Sequence, residues 1–62
     1  MRDVRFSHTD WDGDQLTVVA GMQGAIIATV DCDDESEVRV AVRYPDLPAL
    51  IEALQQILGE QP

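Results

Sequence analysis

This 62-residue chain contains no lysine and no asparagine, and it has only one cysteine, one histidine and three aromatic residues. As the only cysteine, Cys32 cannot form a disulfide within the chain, and one cysteine with one histidine cannot make a Cys/His zinc site. Four arginines stand against twelve carboxylates, which gives a formal net charge of −8. This charge argues against direct binding to nucleic acid or a membrane surface, because phosphate contacts require a basic surface.

Long apolar segments are also lacking. The first ten residues are charged and contain no apolar core of a signal peptide. The longest mainly apolar run, residues 18–30, includes two glycines and a glutamine and is too short to span a bilayer. Together with the free thiol of Cys32, these absences predict a cytoplasmic protein.

The length of the chain predicts one small domain over residues 1–62. A domain of this size buries only about 60% of the surface that its unfolded chain exposes, so its stability alone is marginal. Small domains usually add a disulfide, a metal or a second subunit. Because the cysteine and histidine content excludes an internal disulfide and disfavours a structural metal, we expect self-association as a homodimer.

Apolar and polar residues alternate in several segments, as is typical of half-buried β-strands. In the first strand, Val4, Phe6 and His8 are expected on one face. The third strand is apolar on both faces, which is typical of the middle of a sheet or of a strand beneath a second layer. The four strands are predicted at about residues 3–8, 15–20, 25–31 and 37–44.

A helix is predicted at about residues 47–58. Pro45 ends the last strand, Asp46 suits the N-cap, and Pro48 suits the first helical turn. Apolar residues then recur at helical spacing and form one stripe, namely Leu47, Leu50, Ile51, Leu54, Ile57 and Leu58. We expect this stripe to pack on the valines of the fourth strand. The predicted fold class is α+β, a four-stranded antiparallel β-meander with one C-terminal amphipathic helix packed on one face (ββββα).

Eight of the twelve carboxylates fall in two runs that separate predicted strands. In a meander the first and third connections lie at the same end of the sheet, so the two runs are expected to form one surface. The C-terminus of the helix is expected to return to that end. We call this surface the acidic rim and define it as Asp10, Asp12, Asp14, Asp31, Asp33, Asp34, Glu35 and Glu37.

The acidic rim has two interpretations as a surface. Aspartate and glycine are common turn residues, and acidic loops keep a small protein in solution. Alternatively, the rim and Trp11 bind a basic protein partner, since a surface of one sign speeds encounter with the opposite sign. A more specific variant is a small acidic inhibitor of bacterial or phage origin that mimics the phosphate charge of DNA. Trp11 is expected to fold back over the sheet edge; exposed, it would suit an interface anchor.

A divalent-cation site, for calcium, is the alternative function. Asp10, Asp12 and Asp14 match positions one, three and five of an EF-hand loop. Gln15 stands where that loop needs glycine, and Gly21 where it needs glutamate, so the segment is not an EF-hand. A weaker calcium site shared by the two acidic loops remains an alternative.

No catalytic arrangement is predicted. His8 and Cys32 are the only usual nucleophile-and-base candidates, and they fall on the first and third strands, about 10 Å apart at two strand spacings. Nearby carboxylates would raise the pKa of the Cys32 thiol, which is the reverse of activation. The turn at residues 21–24 leads into a strand, unlike a phosphate loop. We therefore expect a non-catalytic interaction module without a cofactor.

Overall fold

The computed structural model describes residues 3–61, which form one open antiparallel sheet followed by a helix. The strands neighbour one another in chain order, β1-β2-β3-β4, so the predicted ββββα architecture is confirmed. The element bounds differ from the predicted ones by at most one residue. They are β1 (Val4–Thr9), β2 (Gln15–Ala20), β3 (Gly24–Val30), β4 (Glu37–Arg43), a 3₁₀ turn (Tyr44–Asp46) and α1 (Leu47–Gly59).

A bulge in β1 changes which residues share a face. Val4 pairs with Val19, whereas Phe6 pairs with Val18, so Arg5 is the extra residue. Val18 and Val19 are adjacent in β2 and point to opposite faces of the sheet. Val4 and Phe6 therefore also lie on opposite faces, and the prediction that they share one is wrong.

One face of the sheet is almost entirely apolar. Phe6, Val18, Ile27 and Val40 pair in succession across all four strands, which fixes the side that they share. None of the residues assigned to this face by the strand pairing is a carboxylate or an arginine. We call it the valine face, and it consists of Phe6, His8, Leu16, Val18, Ala20, Ala25, Ile27, Thr29, Val38, Val40 and Val42.

The opposite face carries the charges of β4, which are Glu37, Arg39 and Arg43. It also carries the two residues that are buried among residues 3–61, Val19 and Ala28. β3 lies between β2 and β4, in agreement with its two apolar faces. The chain alone therefore buries very little apolar surface, although its strands are fully paired.

The helix α1 does not cover the valine face. Of the elements in residues 3–61, only the 3₁₀ turn that precedes α1 makes more than marginal contact with the helix. The exposed fraction is 51–66% for the helical residues Ile51, Leu54, Ile57 and Leu58. The Cα radius of gyration is 13.0 Å, whereas a compact chain of this length has one of about 10.6 Å. The expected packing of the helix on its own sheet, and the return of its C-terminus to the acidic rim, are not observed.

The connection between β4 and α1 accounts for this difference. The 3₁₀ turn follows β4 directly and runs into α1 without an intervening residue. Pro45 and Pro48 restrict the backbone on either side of Asp46. The chain therefore has no irregular segment between β4 and α1 in which to turn the helix back across the sheet. None of the helices in residues 3–61 has the length and apolar character needed to cross a membrane.

Candidate interaction surface at the acidic rim

The loop between β1 and β2 is closed by the side chain of Asp10. Its Oδ1 accepts hydrogen bonds from the backbone N–H groups of Asp12, at 2.9 Å, and of Asp14, at 3.0 Å. The N–H of Gly13 donates to the carbonyl of Asp10 at 3.1 Å. Gly13 has a φ of 91°, which glycine adopts without steric cost. Asp10 is therefore a structural residue as well as a carboxylate of the acidic rim.

The loop between β3 and β4 is built in a similar way. Asp31 Oδ1 accepts the N–H of Asp33 at 2.8 Å, and the Asp31 carbonyl accepts the N–H of Glu35 at 2.8 Å. Asp34 Oδ1 accepts the N–H of Ser36 at 2.9 Å, and hydrogen bonding from Ser36 lowers the pKa of Asp34. These bonds fix the loop although it is exposed.

Cys32 joins the two loops. Its N–H donates to Asp14 Oδ1 at 3.0 Å, and its thiol donates to the Asp12 carbonyl at 3.0 Å. A Cβ added to Gly13 would lie 3.4 Å from the Cβ of Cys32, so the loop backbones are close together. The structure therefore brings the two acidic runs to one end of the sheet, as expected for a meander. Their role in binding a partner stays a prediction.

The charge of the acidic rim is largely uncompensated. Among residues 3–61, the ion pairs are Arg5 with Asp3 and Arg39 with Glu37. Only one rim carboxylate, that of Glu37, thus has an arginine partner. The other seven concentrate negative charge at one end of the molecule, and all seven except Asp10 and Asp14 belong to exposed residues.

Trp11 lies at the tip of the first loop and is 94% exposed. The expectation that it folds back over the sheet edge is therefore wrong. The loop backbone around Trp11 is held by hydrogen bonds from the N–H groups of Asp12 and Asp14 to Asp10 Oδ1. The exposed indole instead suits the alternative of an interface anchor, a role in which tryptophan is enriched.

The two candidates for catalysis have different partners. The His8 ring stacks on Phe6 on the valine face, with centroids 6.4 Å apart. The Cys32 thiol is engaged by the Asp12 carbonyl in the loop. Desolvation, the Asp14 carboxylate and the nearby Asp31 and Asp33 side chains raise the pKa of Cys32. This protonated thiol is a weak nucleophile.

Within residues 3–61, two groups of side-chain oxygen or sulfur atoms are close enough together to hold a metal ion. One oxygen from each of Asp10, Asp12 and Asp14 lies within 4.8 Å of the others. Asp14, Asp31 and Cys32 form a second group with the same limit. The second group suits a hard cation less well, because Cys32 contributes a thiol with a raised pKa. Such clusters of exposed acidic residues are also common without an ion.

No protein-family model, curated protein or solved structure matches this chain.

Proposed function

We propose that the protein is a non-catalytic interaction module that self-associates and binds a basic protein partner at the acidic rim. The observation that carries the proposal is the joining of the two acidic loops by Cys32, which holds together seven carboxylates that pair with no arginine among residues 3–61. Loops fixed by their own hydrogen bonds lose little conformational freedom on binding, which favours affinity. The free, exposed thiol of Cys32 is consistent with a cytoplasmic location.

The partner is defined by its chemistry as a protein with a basic surface. Opposite charge at the rim raises the rate of encounter, and the exposed Trp11 adds apolar area beside the carboxylates. A nucleic-acid-binding protein is one partner of this kind, because the rim carboxylates could occupy the positions of backbone phosphates. Such a module would act as an acidic inhibitor.

Neutralising the first loop tests this proposal. In the triple variant Asp10→Asn, Asp12→Asn, Asp14→Asn, each asparagine keeps an Oδ1 acceptor, so the hydrogen bonds from Asp12, Asp14 and Cys32 can be retained. The net charge changes from −8 to −5. Binding of a synthetic deca-arginine peptide can be followed by the fluorescence of Trp11. We expect the dissociation constant of the peptide to rise at least about tenfold, which corresponds to a loss of about 1.4 kcal/mol of binding free energy.

The matched control removes three charges away from the rim, with Asp46→Asn, Glu52→Gln and Glu60→Gln. It has the same net charge as the rim variant, and the Asp46 side chain makes no capping hydrogen bond that would be lost. We expect its affinity to stay close to that of the wild type. Equal weakening in both variants would mean that total charge, and not the acidic rim, determines binding.

Calcium binding is a second candidate function, favoured by the close approach of the Asp10, Asp12 and Asp14 oxygens. Asp10 and Asp14 each use Oδ1 for backbone hydrogen bonds and keep a second oxygen for an ion. With so few preorganised ligands, we expect a dissociation constant of about 10⁻⁴–10⁻³ M, as in weak extracellular modules. Titration calorimetry with calcium chloride should show this heat in the wild type and lose it in the triple asparagine variant. Absence of heat in the wild type would exclude the site.

A further inference from the structure

We propose that two copies of the chain exchange their helices, so that α1 of each protomer lies across the valine face of the other. The inference rests on the self-association in the proposed function and specifies its surfaces. In the isolated chain both surfaces are exposed: Phe6, Val38 and Val40 on the sheet are 55–60% exposed, and the helical stripe beyond Leu50 is exposed as well. Reciprocal packing covers both with one symmetric interface.

The exposed area of the chain is close to what such a dimer requires. The chain exposes 5308 Å², whereas a folded monomer of 6.9 kDa typically exposes about 4000 Å². The excess is thus about 1300 Å² per chain, or about 2600 Å² for two copies. Permanent homodimers bury about 2000–5000 Å² in total, so the excess corresponds to an interface of that class.

The two surfaces also agree in length and chemistry. α1 has 13 residues and is about 20 Å long, and β3, with seven residues, is about 23 Å long. The strand pairing places no carboxylate or arginine on the valine face, and Arg5 lines the groove at its border beside Ala20 and Ala25. The other side of α1 carries Glu52, Gln55 and Gln56, and a hydrogen bond joins Gln56 to Glu52 at 3.3 Å. These polar groups would remain in water when the stripe is buried.

Two other ways of covering the apolar surfaces fit the structure less well. Stacking of two valine faces would leave the stripe of α1 in water. Closure of α1 onto its own sheet would require the chain to reverse at the 3₁₀ turn, which contains Pro45 and joins β4 to α1 without an intervening residue. The start of the helix, at the half-buried Leu47, borders a groove of about 250 Å³ beside Ala20 and Ala25. Short, stiff connections favour exchange of an element between copies.

Cross-linking between two single-cysteine chains tests the exchange. Both chains carry Cys32→Ser; one also carries Leu54→Cys, and the other, made longer by an affinity tag, carries Val40→Cys. They are unfolded and refolded together and treated with a short bismaleimide. We expect the mixed covalent pair, recognised by its mass, as the main product. With Gln55→Cys in place of Leu54→Cys, the cysteine moves to the polar side of α1, and the yield should fall at least about fivefold.

Each other product contradicts the exchange. A tagged pair joined through Val40→Cys would indicate stacked sheets. A further variant carries both Leu54→Cys and Val40→Cys in one chain. If this variant cross-links internally and sediments with the 6.9 kDa mass of one chain, α1 closes on its own sheet. The same test in the triple asparagine variant of the acidic rim separates the two proposals. We expect that variant to give the mixed pair even though it binds deca-arginine weakly.

Discussion

Replacing Leu54 with aspartate is expected to dissociate the dimer and to lower thermal stability. Leu54 lies in the middle of the α1 stripe, where the interface would bury it. Loss of one leucine costs about 1.5–3 kcal/mol, and a symmetric dimer loses it twice. The dissociation constant should therefore rise at least about 100-fold. Sedimentation equilibrium, with thermal unfolding at several protein concentrations, measures both effects.

Gln55→Asp is the matched control for this variant, since it adds the same charge one residue further along the same helix. It lies on the polar side of α1, so the dimer mass and the melting temperature should stay near those of the wild type. A Leu54→Asp protein with the sedimentation mass and melting temperature of the control would refute burial of the stripe, whether by exchange or by closure on its own sheet.

Gly24→Ala is expected to lower the stability of the protein severely. Gly24 begins β3 with a φ of 152°, and a Cβ there would lie 2.1 Å from the Val42 carbonyl oxygen and 2.7 Å from the Arg43 Cα. The backbone strain and the clash together should cost about 3 kcal/mol or more. A chain of 62 residues has a total stability of only about 3–9 kcal/mol. Urea unfolding followed by circular dichroism measures the loss.

Gly21→Ala is the control for that variant, in the same turn. Gly21 has no positive φ, and the nearest atom to an added Cβ is Ile26 Cδ1, at 3.3 Å, on a side chain that can move. We expect a change of at most about 1 kcal/mol. Equal urea midpoints for the two alanine variants would show that the β3–β4 pairing tolerates a side chain at Gly24.

Much of the fold can be predicted from local sequence. The alternation of valines in β4, the prolines before α1 and the apolar spacing of the helix predict the elements and their order. The meeting of the two acidic loops follows from hairpins in succession, because every second connection of a meander lies at the same end of the sheet. The hydrogen bonds from Cys32 to Asp14 and Asp12 are not predictable, since they depend on the conformations of both loops.

Three features of the fold could not be predicted from the sequence. The bulge at Arg5 leaves no sequence signal, because Val4 and Phe6 alternate as in a regular strand. The burial expected for Trp11 reflects an average over many proteins, and here Trp11 lies exposed at the tip of a loop. The stripe of α1 shows that an apolar cover is needed but does not say which chain supplies it. The same pattern of leucines and isoleucines is compatible with intramolecular packing and with exchange.

Both edges of the sheet carry features that discourage further strands from adding. β1 is distorted by its bulge and bears the Arg5–Asp3 ion pair, and β4 bears Arg39 and Arg43 along its length. Bulges and charged side chains at an edge oppose strand addition. These features disfavour growth by edge-to-edge pairing into fibrils, and the proposed dimer, which would use each helix and each valine face once, would be a closed particle. Concentrated solutions should therefore contain discrete pairs without higher aggregates.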